Sequence, residues 1–175
     1  VGMLALLSEG LAHLHARGVV HGDLKPANVM VDVTGSPRLI DLGVAAQMSD
    51  VQRTRGFQGT LGYAAPEQLQ GEPLSPASDI YSLGVLAYEL VTGRRPFEGT
   101  DEAALAWLPL SSLPEPPCSL RPRIPQQLDE LILRMLVRSP AARPDDASVL
   151  GAAFQASLAG QPREPVVGID RKSAV

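Results

Sequence analysis

Residues 77–91 constrain the fold of this chain more than any other stretch. Ile80, Leu83, Val85, Leu86, Ala87, Leu90 and Val91 make a helix over this span apolar on nearly all sides. Such a helix has no face to offer water, so it belongs in the middle of a domain with the other elements arranged around it. A chain of 175 residues, 45% of them hydrophobic, has the material for one such domain or a large piece of one. Wholesale disorder is excluded on the same ground.

Around this helix the periodicity sketches a mostly helical α+β chain. Leu4, Leu7, Leu11 and Leu14 recur at three- and four-residue steps, which predicts an amphipathic helix over 2–17 ended by Gly18. Further helices are expected at 101–108, 126–137 and 145–158, with the Pro140–Pro144 run between the last two. Short apolar runs at 19–20, 29–31 and 38–40 read as strands, the last two joined by the turn Thr34-Gly35-Ser36-Pro37 into a small hairpin. Residues 43–65 show no sustained period and are expected to be a long mobile segment. Residues 109–125 read as a Pro-rich surface loop, and 160–175 as a flexible tail or linker. The chain opens on Val1, already inside a helical pattern, so an upstream part is expected to be missing.

Composition removes several classes of function. A net charge of −4 provides no basic field for nucleic acid or an anionic membrane. No window approaches 18 uninterrupted apolar residues, and no signal peptide is expected. Cys118 is the only cysteine, which rules out an internal disulfide framework, and it is expected to be inert. The basic residues are almost all Arg, with Lys only at 25 and 172. With so much Ala, Arg, Pro and Gly, this suggests a GC-rich coding sequence of bacterial type, in which a lysine inside a motif is a stronger signal than usual.

That lysine lies in His21-Gly22-Asp23-Leu24-Lys25-Pro26-Ala27-Asn28, followed by Leu39-Ile40-Asp41-Leu42-Gly43. Two acids, an amide and a lysine are thus presented from loop ends between short strands. Any one of them alone is ordinarily a solvated loop group; the joint spacing is what raises specificity. A second set follows in Gly59-Thr60-Leu61-Gly62-Tyr63-Ala64-Ala65-Pro66-Glu67, Asp79-Ile80-Tyr81-Ser82-Leu83-Gly84, Thr92-Gly93-Arg94-Arg95-Pro96-Phe97 and Arg143.

The first set resembles the catalytic and metal-binding loops of the protein kinases, H-R-D-x-x-x-x-N and D-F-G. The second resembles the G-T-x-x-Y-x-A-P-E that closes a Ser/Thr kinase activation segment and the elements after it. In order and extent the chain is similar to the C-terminal lobe of a bacterial Ser/Thr protein kinase over residues 1–159, with the N-terminal lobe absent. The resemblance implies ATP and Mg2+ as cofactors and Ser/Thr-bearing proteins as partners. It also implies a cytoplasmic location, or the cytoplasmic part of an anchored kinase. Asp23 would accept the proton of the attacking hydroxyl, and Lys25 would contact the γ-phosphate. Asn28 and Asp41 would hold magnesium, with Met30 beneath the adenine. Thr60 would hydrogen-bond Asp23 and Lys25. Asp79 would accept backbone N–H groups of the catalytic loop, Glu67 would pair with Arg143, and His21 would pack as a structural residue. His13 and His15 read as plain helix-face residues.

Departures from the family pattern matter. Gly22 replaces the arginine that reads an activating phosphate, so Thr54, between Arg53 and Arg55, is expected to accept phosphate with little effect on activity. Leu42 replaces the Phe of D-F-G. The glycine-rich loop, the strand lysine and its glutamate partner are not in this chain, so weak or no turnover is expected from it alone. Two other readings remain open. Aminoglycoside- and choline-type phosphotransferases share H-G-D-x-x-x-x-N but lack the A-P-E segment. A truncated lobe could also act as a scaffold or regulator.

Overall fold

The computed structural model describes residues 2–41, 46–47 and 59–157. In chain order these form α1 (Gly2–His15), β1 (Val19–Val20), β2 (Val29–Val31), β3 (Pro37–Leu39), β4 (Ala46–Gln47), α2 (Pro66–Leu69), α3 (Pro76–Thr92), α4 (Glu102–Ser111), α5 (Pro117–Leu120), α6 (Gln126–Met135) and α7 (Ala147–Ala156). Single 3-10 turns lie at Pro26–Asn28 and Pro140–Ala142.

The all-apolar run becomes α3, buried continuously from Ser78 to Tyr88. Pro76 opens it with a missing N–H that no helix would use. Gly93 closes it in the left-handed region at φ 86°, its N–H bonded to the Glu89 carbonyl. Burial is less complete than the pattern implies, because Leu90 is 56% exposed. The last turn of α3 runs past α1 and β2, and Leu90 borders an open apolar groove with Met3, Leu7, Val29 and Val31.

The core is built on α3 from both sides. α1 contributes Leu4, Leu7 and Leu11, α6 contributes Leu128, Ile132 and Met135, and α7 contributes Leu150 and Phe154. α1 packs along α7 and against β3, while α6 lies against α3. The α3–α6 approach depends on Gly84, where a Cβ would stand 2.8 Å from that of Met135. Among the described residues no helix is long and apolar enough to cross a membrane.

The structure departs from the periodicity at several places. α1 ends at His15, and the turn after it closes through Gly18 at φ 72°. Within 43–65, residues 46–47 pair antiparallel with β1, too short a ladder to leave a sequence period. Pro66–Leu69 forms a helix no pattern indicated. Residues 109–125 are not all loop: α4 continues to Ser111 with Pro109 buried inside it, and α5 starts on buried Pro117. Prolines at helix starts are compatible with helix, so a Pro-rich stretch need not be loop. Cys118 lies in α5, where hydrogen bonding to the Asp129 carboxylate raises its thiol pKa, away from thiolate reactivity. Leu42, Thr54 with its flanking arginines, and the 160–175 tail lie outside the described residues.

Candidate active site

The β2–β3 hairpin pairs Val29 with Leu39, Met30 with Arg38 and Val31 with Pro37. Its turn closes on Asp32, whose carboxylate accepts from the Thr34 hydroxyl and the Thr34 and Ser36 amides. These bonds, the Thr34 side chain first, lower the Asp32 pKa to about 2. At the other end of the hairpin the Ile40 N–H donates to the Asn28 carbonyl at 3.0 Å. This bond brings the chain leaving β3 beside Asn28 and delivers Asp41 to the same edge of the fold. Asp41 is exposed and adopts φ 61°, the non-glycine residue with positive φ among those described. Aspartate tolerates this region better than most residues, and such outliers cluster at functional sites.

Asp23, Lys25 and Thr60 close a hydrogen-bonded triangle. Lys25 Nζ donates to Asp23 Oδ2 at 2.6 Å and to Thr60 Oγ1 at 2.8 Å, and the Thr60 hydroxyl donates to Asp23 Oδ1 at 2.8 Å. Asn28 Nδ2 donates to the Asp23 backbone carbonyl at 2.8 Å and to Oδ2 at 3.3 Å. Three side-chain donors thus occupy a carboxylate with about four lone-pair positions, which leaves acceptor capacity for an incoming hydroxyl. The Asp23 side chain is 10% exposed and that of Lys25 25%. The acid is therefore held firmly but not sealed.

The backbone beneath this triangle is fixed by Asp79, at the first turn of α3. Asp79 Oδ2 accepts from the His21 N–H and Oδ1 from the Gly22 N–H, both at 2.8 Å. His15 Nε2 also donates to Oδ2 at 2.8 Å, so His15 is no plain helix-face residue. It bonds a buried acid that a helical wheel of α1 cannot reveal; His13 stays exposed. Gln68, unnoticed in the sequence, donates to the Gly22 carbonyl at 2.9 Å and accepts from the Ala65 N–H at 3.0 Å. Both backbone groups of Gly22 are thus committed at φ 78°, a conformation that suits glycine. His21 is fully buried, its Nδ1 accepting from the Asp23 N–H at 3.3 Å, as a packed structural residue would be.

Further from the opening, Glu67 and Arg143 form a bidentate pair at 2.7 and 2.8 Å, with both residues buried. Ser78 donates to Glu67, while Arg143 also bonds the carbonyls of Ala77, Val137 and Arg138 and stacks over the Tyr81 ring. Every guanidinium nitrogen has a partner, which is what makes a buried charge tolerable. Burial raises the Tyr81 hydroxyl pKa, against the pull of Arg143.

The segment after Thr60 is equally well held. The Tyr63 N–H bonds the Thr60 carbonyl, Ser82 donates to the Tyr63 carbonyl, and the Tyr63 hydroxyl donates to Glu89 Oε2 at 2.7 Å. Burial first, then the Glu89 carboxylate, raise the Tyr63 pKa, with Arg95 opposing them.

Met30 lies on the side of β2 away from the apolar groove and is 54% exposed. Among the described residues no three His, Cys, Asp or Glu side chains converge on one point. Asn28, buried, and Asp41, exposed, are the side chains with oxygen donors on this side of the hairpin, and amide and carboxylate oxygens are the hard ligands that magnesium takes.

Residues 2–154 match the protein kinase domain. The chain belongs to the protein kinase family. It is 40% identical over 161 residues to the serine/threonine-protein kinase PknA of Mycobacterium tuberculosis, covering 91% of this chain and 37% of that protein. It is 37% identical over 158 residues to a probable serine/threonine-protein kinase of Streptomyces coelicolor, covering 88% of this chain and 24% of that one. A third relative, PknB of Mycobacterium leprae, is 33% identical over 167 residues, 94% of this chain and 27% of its own. The chain therefore spans 24% to 37% of the length of these curated relatives.

Proposed function

We propose that residues 1–159 are the C-terminal lobe of a Ser/Thr protein kinase, followed by a linker at 160–175. In this reading the lobe carries the acceptor and metal side of an ATP- and Mg2+-dependent phosphotransfer to protein hydroxyls. The observation that carries the proposal is the Asp23–Lys25–Thr60 triangle, with the Asn28 amide nitrogen bonded to Asp23.

Asp23, with acceptor capacity to spare, orients the substrate hydroxyl and takes its proton as that oxygen bonds the γ-phosphorus and ADP departs. Lys25 sits on the same carboxylate and offers a point charge to the transferring phosphoryl group. Thr60 locks both rotamers. A hydroxyl in that position, reached from the closing part of the activation segment, is what favours Ser/Thr over Tyr substrates. The Asn28 carboxamide oxygen and the Asp41 carboxylate would hold the magnesium ion, which neutralises phosphate charge when bound. Met30, apolar and exposed, would meet the underside of the adenine. Thr54 would be a phosphorylation site of small effect.

Isothermal calorimetry of ATP with Mg2+ on this chain, with Asp41→Asn as the control, tests the reading. Binding that the substitution abolishes is expected. Binding unchanged by Asp41→Asn would overturn the metal assignment. Joining this chain to the N-terminal half of the M. tuberculosis relative then tests the transfer, with Ser/Thr peptides expected to be labelled and Tyr peptides not.

A further inference from the structure

Arg94 and Arg95 are adjacent in sequence and used differently by the fold. Arg94 is taken up by Glu115, its Nη2 at 2.6 Å from the carboxylate. Arg95 instead reaches back over the segment that follows Thr60. A Cβ on Gly62 would overlap its Nη1 and stand 3.1 Å from its Cζ, so the guanidinium fills the space that glycine leaves open. Among the described residues Arg95 makes no hydrogen bond and no ion pair. Both Arg95 and Glu89 act on Tyr63, and the Glu89 carboxylate is engaged by the Tyr63 hydroxyl.

The position of this cation is fixed relative to the acceptor acid. Thr60 is bonded to Asp23, and Gly62 is two residues on, at most about 7 Å along the chain. The segment between them cannot drift, because the Tyr63 and Ala64 amides bond the Thr60 carbonyl and Ser82 holds the Tyr63 carbonyl. An arginine without a partner, half-exposed and held beside the wall of the acceptor site, presents a charge with unused donors.

We propose that Arg95, seated over Gly62, is a substrate-specificity residue that receives a carboxylate side chain flanking the Ser or Thr to be phosphorylated. The inference rests on the kinase reading above and adds a substrate class to it: acceptor sequences with Asp or Glu near the hydroxyl. The interaction is a single ion pair at a rim open to water, so its contribution is discrimination more than affinity.

The test is fluorescence anisotropy of labelled Ser peptides on the 175-residue chain. One set carries Asp at each flanking position in turn, a second carries Asn, and a third Lys. At one position the Asp peptide is expected to bind about two- to five-fold tighter than its Asn counterpart. Arg95→Ala should erase that preference, and Arg95→Glu should transfer it to the Lys peptide at the same position. Gly62→Ala, which adds a Cβ where the guanidinium lies and keeps its charge, should weaken the preference without reversing it. Asp and Asn peptides bound equally at every position, or an acid preference surviving Arg95→Ala, would overturn this inference alone. Failure of every peptide to bind, or binding indifferent to Asp23→Asn, would overturn the kinase reading with it.

Discussion

Two acid–base pairs in this molecule look alike on paper and behave as opposites. Glu67–Arg143 and Asp23–Lys25 each join a carboxylate to a cation at hydrogen-bond distance. Around Glu67–Arg143 every donor is spent: three backbone carbonyls, a serine hydroxyl and an aromatic face complete the shell, and neither residue reaches water. Around Asp23–Lys25 the shell is left one partner short, and it faces an opening. The first arrangement can only hold the fold together, since a saturated pair has nothing to offer a substrate. The second gives up saturation and so keeps an acceptor available, which is what the proposed function asks of it. Completeness of hydrogen bonding, together with burial, separates the closed pair from the open one.

Truncating the sealed pair should have the largest effect. Arg143→Ala leaves Glu67 buried without its counter-ion and is expected to cost about 3–5 kcal/mol in chemical denaturation. Lys25→Ala, at the open pair, should cost less than about 1 kcal/mol in the same experiment. Equal costs would break the comparison.

Asp79 belongs with the sealed group although it lies under the active loop. Asp79→Asn replaces an oxygen that accepts N–H groups with a donor, and is expected to cost about 2–3 kcal/mol. Hydrogen exchange at the His21 and Gly22 amides should accelerate in this variant, while exchange near Arg143 stays slow.

Asp23→Asn sharpens the contrast from the reactive side. It should change stability by less than about 1 kcal/mol, while phosphotransfer by a kinase carrying this lobe falls by about 10²- to 10⁴-fold. A stability loss matching that of Arg143→Ala would place Asp23 among the structural acids.

The smallest effect is expected at Asp32. Its folded pKa of about 2 lies below the ordinary 3.8, so its contribution is fully present above the ordinary value and lost as pH falls through the folded one. Wild type and Asp32→Asn should therefore differ in hairpin stability at pH 5 and converge on approach to pH 2. The Thr34 and Ser36 amide shifts are the readout.

Much of the site was legible in the sequence because its parts are local. Asp23, Lys25 and Asn28 lie within six residues, and a loop of that length places them together whatever surrounds it. The hairpin turn and the apolar run of α3 were equally plain, since periodicity and turn chemistry act over a few residues. The Glu67–Arg143, Thr60–Asp23 and Asp79–Gly22 contacts came from resemblance to a family, because no periodicity links residues that far apart. Gln68 and His15 were missed: a glutamine after A-P-E and a histidine on a helix look ordinary until the Gly22 carbonyl and the Asp79 carboxylate are placed beside them.

By itself the sequence determined which residues are apolar, where the longer helices lie, and which chemical groups share a short loop. Those properties follow from side-chain periodicity and backbone preference, which each segment carries alone. Only the tertiary structure decided which acid would be sealed and which left open. Saturation of the Glu67–Arg143 pair depends on groups from separate segments, Ala77 and Ser78 at the start of α3 and Val137 and Arg138 after α6, and their meeting is a property of the packed chain.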